Sequence, residues 1–90
     1  MANVEKKIWP EFFDAVKSGK KNYELRIADF EINPGDTLTL KEWDPKTKSY
    51  TGRQIVKRVG NISQFSGKNF FVMFPKQAIE KEGLYMIELK

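Results

Sequence analysis

Neither cysteine nor histidine occurs among the 90 residues. Without cysteine no disulfide can staple the fold, and no thiolate can serve as nucleophile or metal ligand. Without histidine the Ser-His-Asp and Cys-His arrangements are excluded, together with the usual zinc sites and the ordinary imidazole base. No cofactor and no metal are expected, and any catalysis must come from lysine, carboxylates, hydroxyls or backbone groups. Long apolar runs are missing too, since no window approaches the roughly 20 residues of a membrane span. The opening Met1-Ala2-Asn3-Val4-Glu5-Lys6-Lys7 is polar, unlike the apolar core of a signal peptide. The expectation is a soluble cytoplasmic protein with no membrane association, and a monomer by default.

What is present fits one folded domain over residues 1–90. Hydrophobic residues make up 40%, charged residues 31% and aromatic residues 13%, a balance that separates the chain from disordered tails. Seven Phe, three Tyr and two Trp supply large buried area per residue, which a small core needs. The net charge is +4. It is uneven, for Lys46, Lys48, Arg53, Lys57 and Arg58 lie between Asp44 and Glu80 with no acidic residue among them. A basic stripe of this kind can contact a nucleic-acid backbone. It can equally be a solvated hairpin whose lysines guard a sheet edge.

Val4 to Trp9 reads as a first strand. Pro10 suits the first position of a helix, and Phe12, Phe13 and Val16 follow at helical spacing, predicting a helix over residues 10–18. Trp9, Phe12 and Phe13 are assigned to the core. Gly19 can take the left-handed conformation that ends such a helix. Ala28 to Asn33 is a loop closed by Pro34-Gly35-Asp36, where a type II turn is expected. Thr37 to Trp43 alternates as a strand with Leu38 and Leu40 inward, and Trp43 is on the opposite parity, either shifted into the core by a bulge or exposed. Asp44 to Gly52 is a polar connection. Arg53 to Ile62 is its partner strand, with Val56 breaking the alternation and marking a candidate bulge. Phe70-Phe71-Val72-Met73-Phe74 reads as a strand buried on both faces, Lys76 to Glu82 as a helical turn, and Leu84 to Leu89 as the last strand. The pattern is mainly β (α+β), with five to six strands and one helix between the first two. A closed or nearly closed small barrel would remove the sheet edges.

The densest set of polar groups with a predictable direction is Gly19-Lys20-Lys21-Asn22-Tyr23-Glu24-Leu25-Arg26. On a strand Tyr23, Leu25 and Ile27 share one face, expected to be buried, and Asn22, Glu24 and Arg26 share the other. Lys21 sits at the junction with the helix. Gly19-x-Lys21-x-x-Glu24-x-Arg26 matches the G-x-K-x-x-E-x-R signature of the ASCH domain family, a branch of the PUA-like superfamily. Ile8-Trp9-Pro10-Glu11-Phe12-Phe13, Pro34-Gly35-Asp36 and the segment Asp44-Pro45 to Gly52 also resemble a small ASCH-like group. The resemblance implies a PUA-like pseudobarrel and a cleft beside the helix that receives RNA or a modified nucleoside. Gly19, Lys21, Glu24 and Arg26 would be its ligand-binding residues. Some ASCH proteins are similar to amidohydrolases that deacetylate N4-acetylcytidine with a lysine, a threonine and a glutamate. Lys21 matches that lysine, Glu24 stands at the threonine's place, and no glutamate of the C-terminal half aligns with the third.

The chemistry of these side chains suits a binding cleft. Arg26 offers a planar fork for phosphate or a base edge, Lys21 a mobile charge, and Glu24 an acceptor for an exocyclic amine. Trp9, Trp43 or Phe30 could stack a base. A hydrolase is the alternative, with Lys21 and Glu24 as catalytic groups acting on a modified nucleoside or on RNA without a metal. A plain interaction module whose basic hairpin meets an acidic protein is a third reading. The bland account of the motif is a solvated ion pair.

Overall fold

The computed structural model describes residues 1–65 and 83–90. In chain order the elements are β1 (Asn3–Ile8), α1 (Pro10–Lys17), β2 (Tyr23–Ile27), β3 (Thr37–Asp44), β4 (Ser49–Phe65) and β5 (Leu84–Leu89). They form one mixed five-stranded sheet in the order β1-β3-β4-β5-β2. The fold is therefore mainly β, with the helix between the first two strands as its spacing predicts. The apolar run 70–74 and the helical turn 76–82 lie outside the described residues.

The helix starts where the chain chemistry allows it to start. Trp9 is extended, as a residue before proline must be, and Pro10 takes the first helical position. The Trp9 carbonyl accepts from the N–H groups of Phe12 and Phe13 at 3.1 and 2.8 Å. Phe13 and Val16 are buried and pack α1 onto the sheet. At the far end Gly19, with φ of 82°, donates to the Val16 carbonyl, and Lys21 donates to Ala15. A left-handed residue is needed there to reverse the chain, which is glycine's role. The reversal sends the chain straight into β2. The turn after the loop also matches expectation. Gly35 has φ of 92°, and the N–H of Asp36 closes on the Asn33 carbonyl.

β1 and β3 run parallel, and the other pairs are antiparallel. A parallel pair needs a crossover connection, here supplied by α1 and β2. Leu38, Leu40 and Ile87 are completely buried, with Ile8, Phe13, Val16, Ile32, Val59 and Leu89 around them. Each such apolar side chain contributes about 1.5–3 kcal/mol by burial.

Of the closed or nearly closed barrel expected, full closure is absent among the described residues, since β1 and β2 remain the two edges of the sheet, and two details of β4 are corrected. The sheet curls until those edges face each other, and one side-chain bond crosses the gap, from the Arg26 guanidinium of β2 to the Lys7 carbonyl of β1. β4 begins at Ser49, not Arg53, because Trp43 pairs with Tyr50 and Asp44 with Ser49, leaving a short turn between. The register irregularity in β4 falls between Val59 and Ile62, around Gly60, whereas Val56 pairs regularly with Thr39. Val56 breaks the apolar alternation because it lies on the outer face, 55% exposed.

Candidate ligand cleft at the open seam

β2 shows the alternation predicted for it, but with the faces exchanged. Glu24 pairs with Ile87, which is fully buried, whereas Tyr23 pairs with exposed Glu88 and Leu25 with exposed Met86. Opposed residues of an antiparallel pair share a face. Glu24 therefore points inward, its side chain 4% exposed, and Tyr23 is 43% exposed. The predicted burial of Tyr23, Leu25 and Ile27 does not hold, for Leu25 and Ile27 are half-buried. An inward carboxylate is tolerable because two cations meet it. Lys21 Nζ donates to Glu24 Oε1 at 2.7 Å. Arg26 Nε donates to Oε2 at 2.9 Å, and the guanidinium Nη2 stands 2.7 Å from the same oxygen.

Arg26 holds the seam as well as the acid. Its Nη2 also reaches the Lys7 carbonyl, which β1, as an edge strand, leaves unpaired on that side. The Nη1 group has no acceptor among the described residues. Glu24 thus fixes two cations, each with donor capacity to spare, at the gap between β1 and β2.

A cleft of about 630 Å³ opens over this gap, between the start of α1 and β2. That lies inside the range of about 300–1,000 Å³ usual for small-molecule sites. Its walls carry Trp9, Phe12 and Tyr23, and the charged residues along it are Lys7, Lys20, Lys21, Arg26 and Glu24. Trp9 and Phe12 stack at 6.5 Å between centroids with 25° between their planes. Lys21 Nζ lies 5.0 Å from the Phe12 ring centre and 5.7 Å from that of Tyr23. Trp9 and Phe12 are 49% and 45% exposed, so their assignment to the core is corrected; Phe13 alone of the three is core. At helical spacing Phe13 and Val16 cover the sheet, which turns Phe12 aside. Phe30, also considered for stacking, instead packs on the core, edge-on to Tyr85 at 5.4 Å and under Lys6.

The residues of the basic stripe are not one surface. Lys46 and Lys48 are exposed at the β3–β4 turn. Along β4, Arg53 and Lys57 share a face with buried Val59, and Arg58 is on the other. Arg53 is engaged: it donates to Glu42 through Nε at 2.8 Å and Nη2 at 2.5 Å, and to Asp14 at 3.1 Å. Its guanidinium carbon lies 4.5 Å from the Phe13 ring centre. Glu42, 2% exposed, escaped the sequence reading, although it has the parity of inward Leu38 and Leu40.

The bonds from Arg53, then those from Thr51, hold the Glu42 carboxyl below its usual range, against the opposing effect of burial. The Arg53 guanidinium is correspondingly pushed up, mainly by its bond to Glu42. A depressed carboxyl contributes stability that is complete above the unfolded value, about 4.3, and is lost as pH falls through the folded value. The expected result is that Glu42→Gln lowers the melting temperature by a few degrees at pH 7. The gap between variant and native protein should then narrow below about pH 4. Thermal melts from pH 7 to pH 3 measure it; a gap independent of pH would contradict the assignment.

Among the described residues no helix is long and apolar enough to cross a membrane. A solved structure, that of hypothetical protein PH0355, superposes with a TM-score of 0.73 over 98% of this chain and 97% of its own, at 19% identity, which speaks to the fold alone. An uncharacterized 12.9 kDa protein of Escherichia phage P2, from the GpA 3' region, is 37% identical over 67 residues, or 73% of this chain. The matched segment spans 60% of the phage protein's length. The family model described as a domain of unknown function, DUF3850, matches residues 4–74, and the chain belongs to that family.

Proposed function

We propose that the seam cleft binds a nucleotide or single-stranded RNA, without obligatory turnover. The observation that carries this reading is the combination of open aromatic faces with fixed cations in one cleft. Trp9, Phe12 and Tyr23 offer rings to a base, and Lys21 and Arg26 are held by a buried carboxylate beside them. Stacking on aromatic rings together with charge on the backbone is how single strands are held without sequence-specific contacts. Pre-fixed donors also cost less ordering on binding than free lysines would. The ASCH signature over Gly19, Lys21, Glu24 and Arg26, with the PUA-like pseudobarrel it implies, supports the same reading.

The geometry changes the role given to Glu24. Its oxygens accept one hydrogen bond each from Lys21 and Arg26, with a second guanidinium nitrogen in ion-pair contact, so it acts as the post that positions both cations. Direct reading of an exocyclic amine then passes to backbone groups or to Asn22, the exposed residue before Tyr23. The hydrolytic alternative requires a base facing substrate, and Lys21 Nζ is bonded to Glu24.

Titration with a nucleoside monophosphate at low salt, read by quenching of tryptophan fluorescence, tests the proposal. Saturable quenching that weakens as salt rises is the expected result, because released counterions drive phosphate binding. Absence of any quenching or heat with nucleotide or RNA at low salt overturns it and leaves an interaction module. Release of acetate from N4-acetylcytidine, or cleavage of RNA, lost in both Lys21→Ala and Glu24→Gln, would replace binding by catalysis.

A further inference from the structure

The outer face of β1, β3 and β4 carries a row of side chains, Lys7, Trp43 and Tyr50, of which the two rings serve neither the core nor the cleft. Trp43 and Tyr50 are direct cross-strand partners, so their rings share that face. Lys7, on the neighbouring edge strand, holds its ammonium 4.8 Å from the Trp43 ring centre and 5.8 Å from that of Tyr50. Tyr50 is 54% exposed. The question of Trp43 is thereby settled: a bulge between Lys41 and Trp43 is present, yet the half-buried ring lies on the side opposite Glu42.

Lys7 connects this row to the cleft. The residue lines the cleft, and its carbonyl receives the Arg26 guanidinium. Beyond Tyr50 the strand turns through Lys46 and Lys48, both exposed. The one carboxylate at that turn, Asp44, accepts the Lys46 N–H at 2.8 Å and so belongs to the turn.

We propose that Lys7, Trp43 and Tyr50 form a second stacking subsite, continuous with the cleft, for the following nucleotides of a single strand. It rests on the cleft reading and adds the class of ligand: an oligonucleotide, not a lone nucleotide. From β1 to β4 the row crosses two strand spacings, about 10 Å. At about 3.4 Å per stacked nucleotide this accommodates roughly three. Aromatic faces take any base, and Lys7 gives its ammonium to the phosphate as the ring it covers accepts a base. An acidic polypeptide would match the lysines but has no use for two adjacent ring faces.

The experiment compares uridine monophosphate with hexauridylate on the native protein, Tyr50→Ala and Tyr50→Phe. Native protein is expected to bind the hexamer at least tenfold tighter than the monophosphate. Tyr50→Ala should lose most of that gain and Tyr50→Phe should keep it, because the ring and not the hydroxyl is used. Monophosphate affinity should be the same in all three, which also reports that the exposed substitution leaves the fold intact. Equal affinity for the two ligands, or a full gain in Tyr50→Ala, overturns the subsite while leaving the cleft. Competition by hexaglutamate as strong as by hexauridylate would also overturn it, in favour of an acidic protein partner. Binding of neither nucleotide ligand removes the cleft reading itself.

Discussion

Replacing Arg26 with alanine is expected to destabilise the protein by about 3 kcal/mol while leaving it folded at 25 °C. The loss follows from what stays behind. Glu24 remains turned inward, beside Ile87, with Lys21 as its one cation. Removing one partner of a buried pair typically costs about 3–5 kcal/mol, and the retained Lys21 bond places this case at the low end. The seam also loses its crossing bond to the Lys7 carbonyl. For a domain of this size the melting temperature should fall by about 15 °C. Glu24→Gln in the Arg26→Ala background should recover much of the loss, because it removes the charge that had been left uncompensated. A double-mutant cycle in urea gives the coupling directly. A loss in Arg26→Ala below about 0.5 kcal/mol would mean that the triad is the solvated ion pair of the bland reading.

The second large effect separates the rings of the cleft from those of the core. Trp9→Ala and Phe12→Ala should each weaken nucleotide binding by about 1–3 kcal/mol, the usual worth of one base–aromatic stack. Stability should change by less than about 1 kcal/mol, since both side chains are close to half exposed. Trp9 contributes to α1 through its carbonyl, which the substitution keeps. Calorimetric titration and thermal melts on the same samples provide both numbers. Native-like affinity combined with a large loss of stability would return the two rings to a packing role.

Much of the scaffold was legible because its signals are local. Pro10, the Phe13–Val16 spacing and Gly19 define α1 within one residue of its observed end. Pro34-Gly35 dictates its turn, and Leu38 and Leu40 set the inward face of β3. The exchanged faces of β2 show where local signals stop. Alternation places Glu24 and Arg26 together but does not say which face is inside; that is set by pairing with β5, through Ile87, across the whole sheet. A usable hint was present, for a lone acid with a cation three residues before and two after can afford to face inward. Helical spacing with Phe13 and Val16 points Phe12 inward and hydrophobicity points Trp9 there, but neither signal distinguishes a core from an aromatic cleft. The open seam depends on long-range curl, and residues far apart in the chain, Lys7 and Arg26, bridge it.

Chemical-shift mapping of the ¹⁵N-labelled protein with uridine monophosphate tests the central claim most directly. The account predicts that the largest changes fall on the Trp9 indole N–H, Phe12, Lys21 to Arg26 and the Lys7–Ile8 edge, with the β3–β4 turn unaffected by the monophosphate. Changes confined to Lys46, Lys48 and their neighbours, with the seam unmoved at saturating ligand, would contradict it.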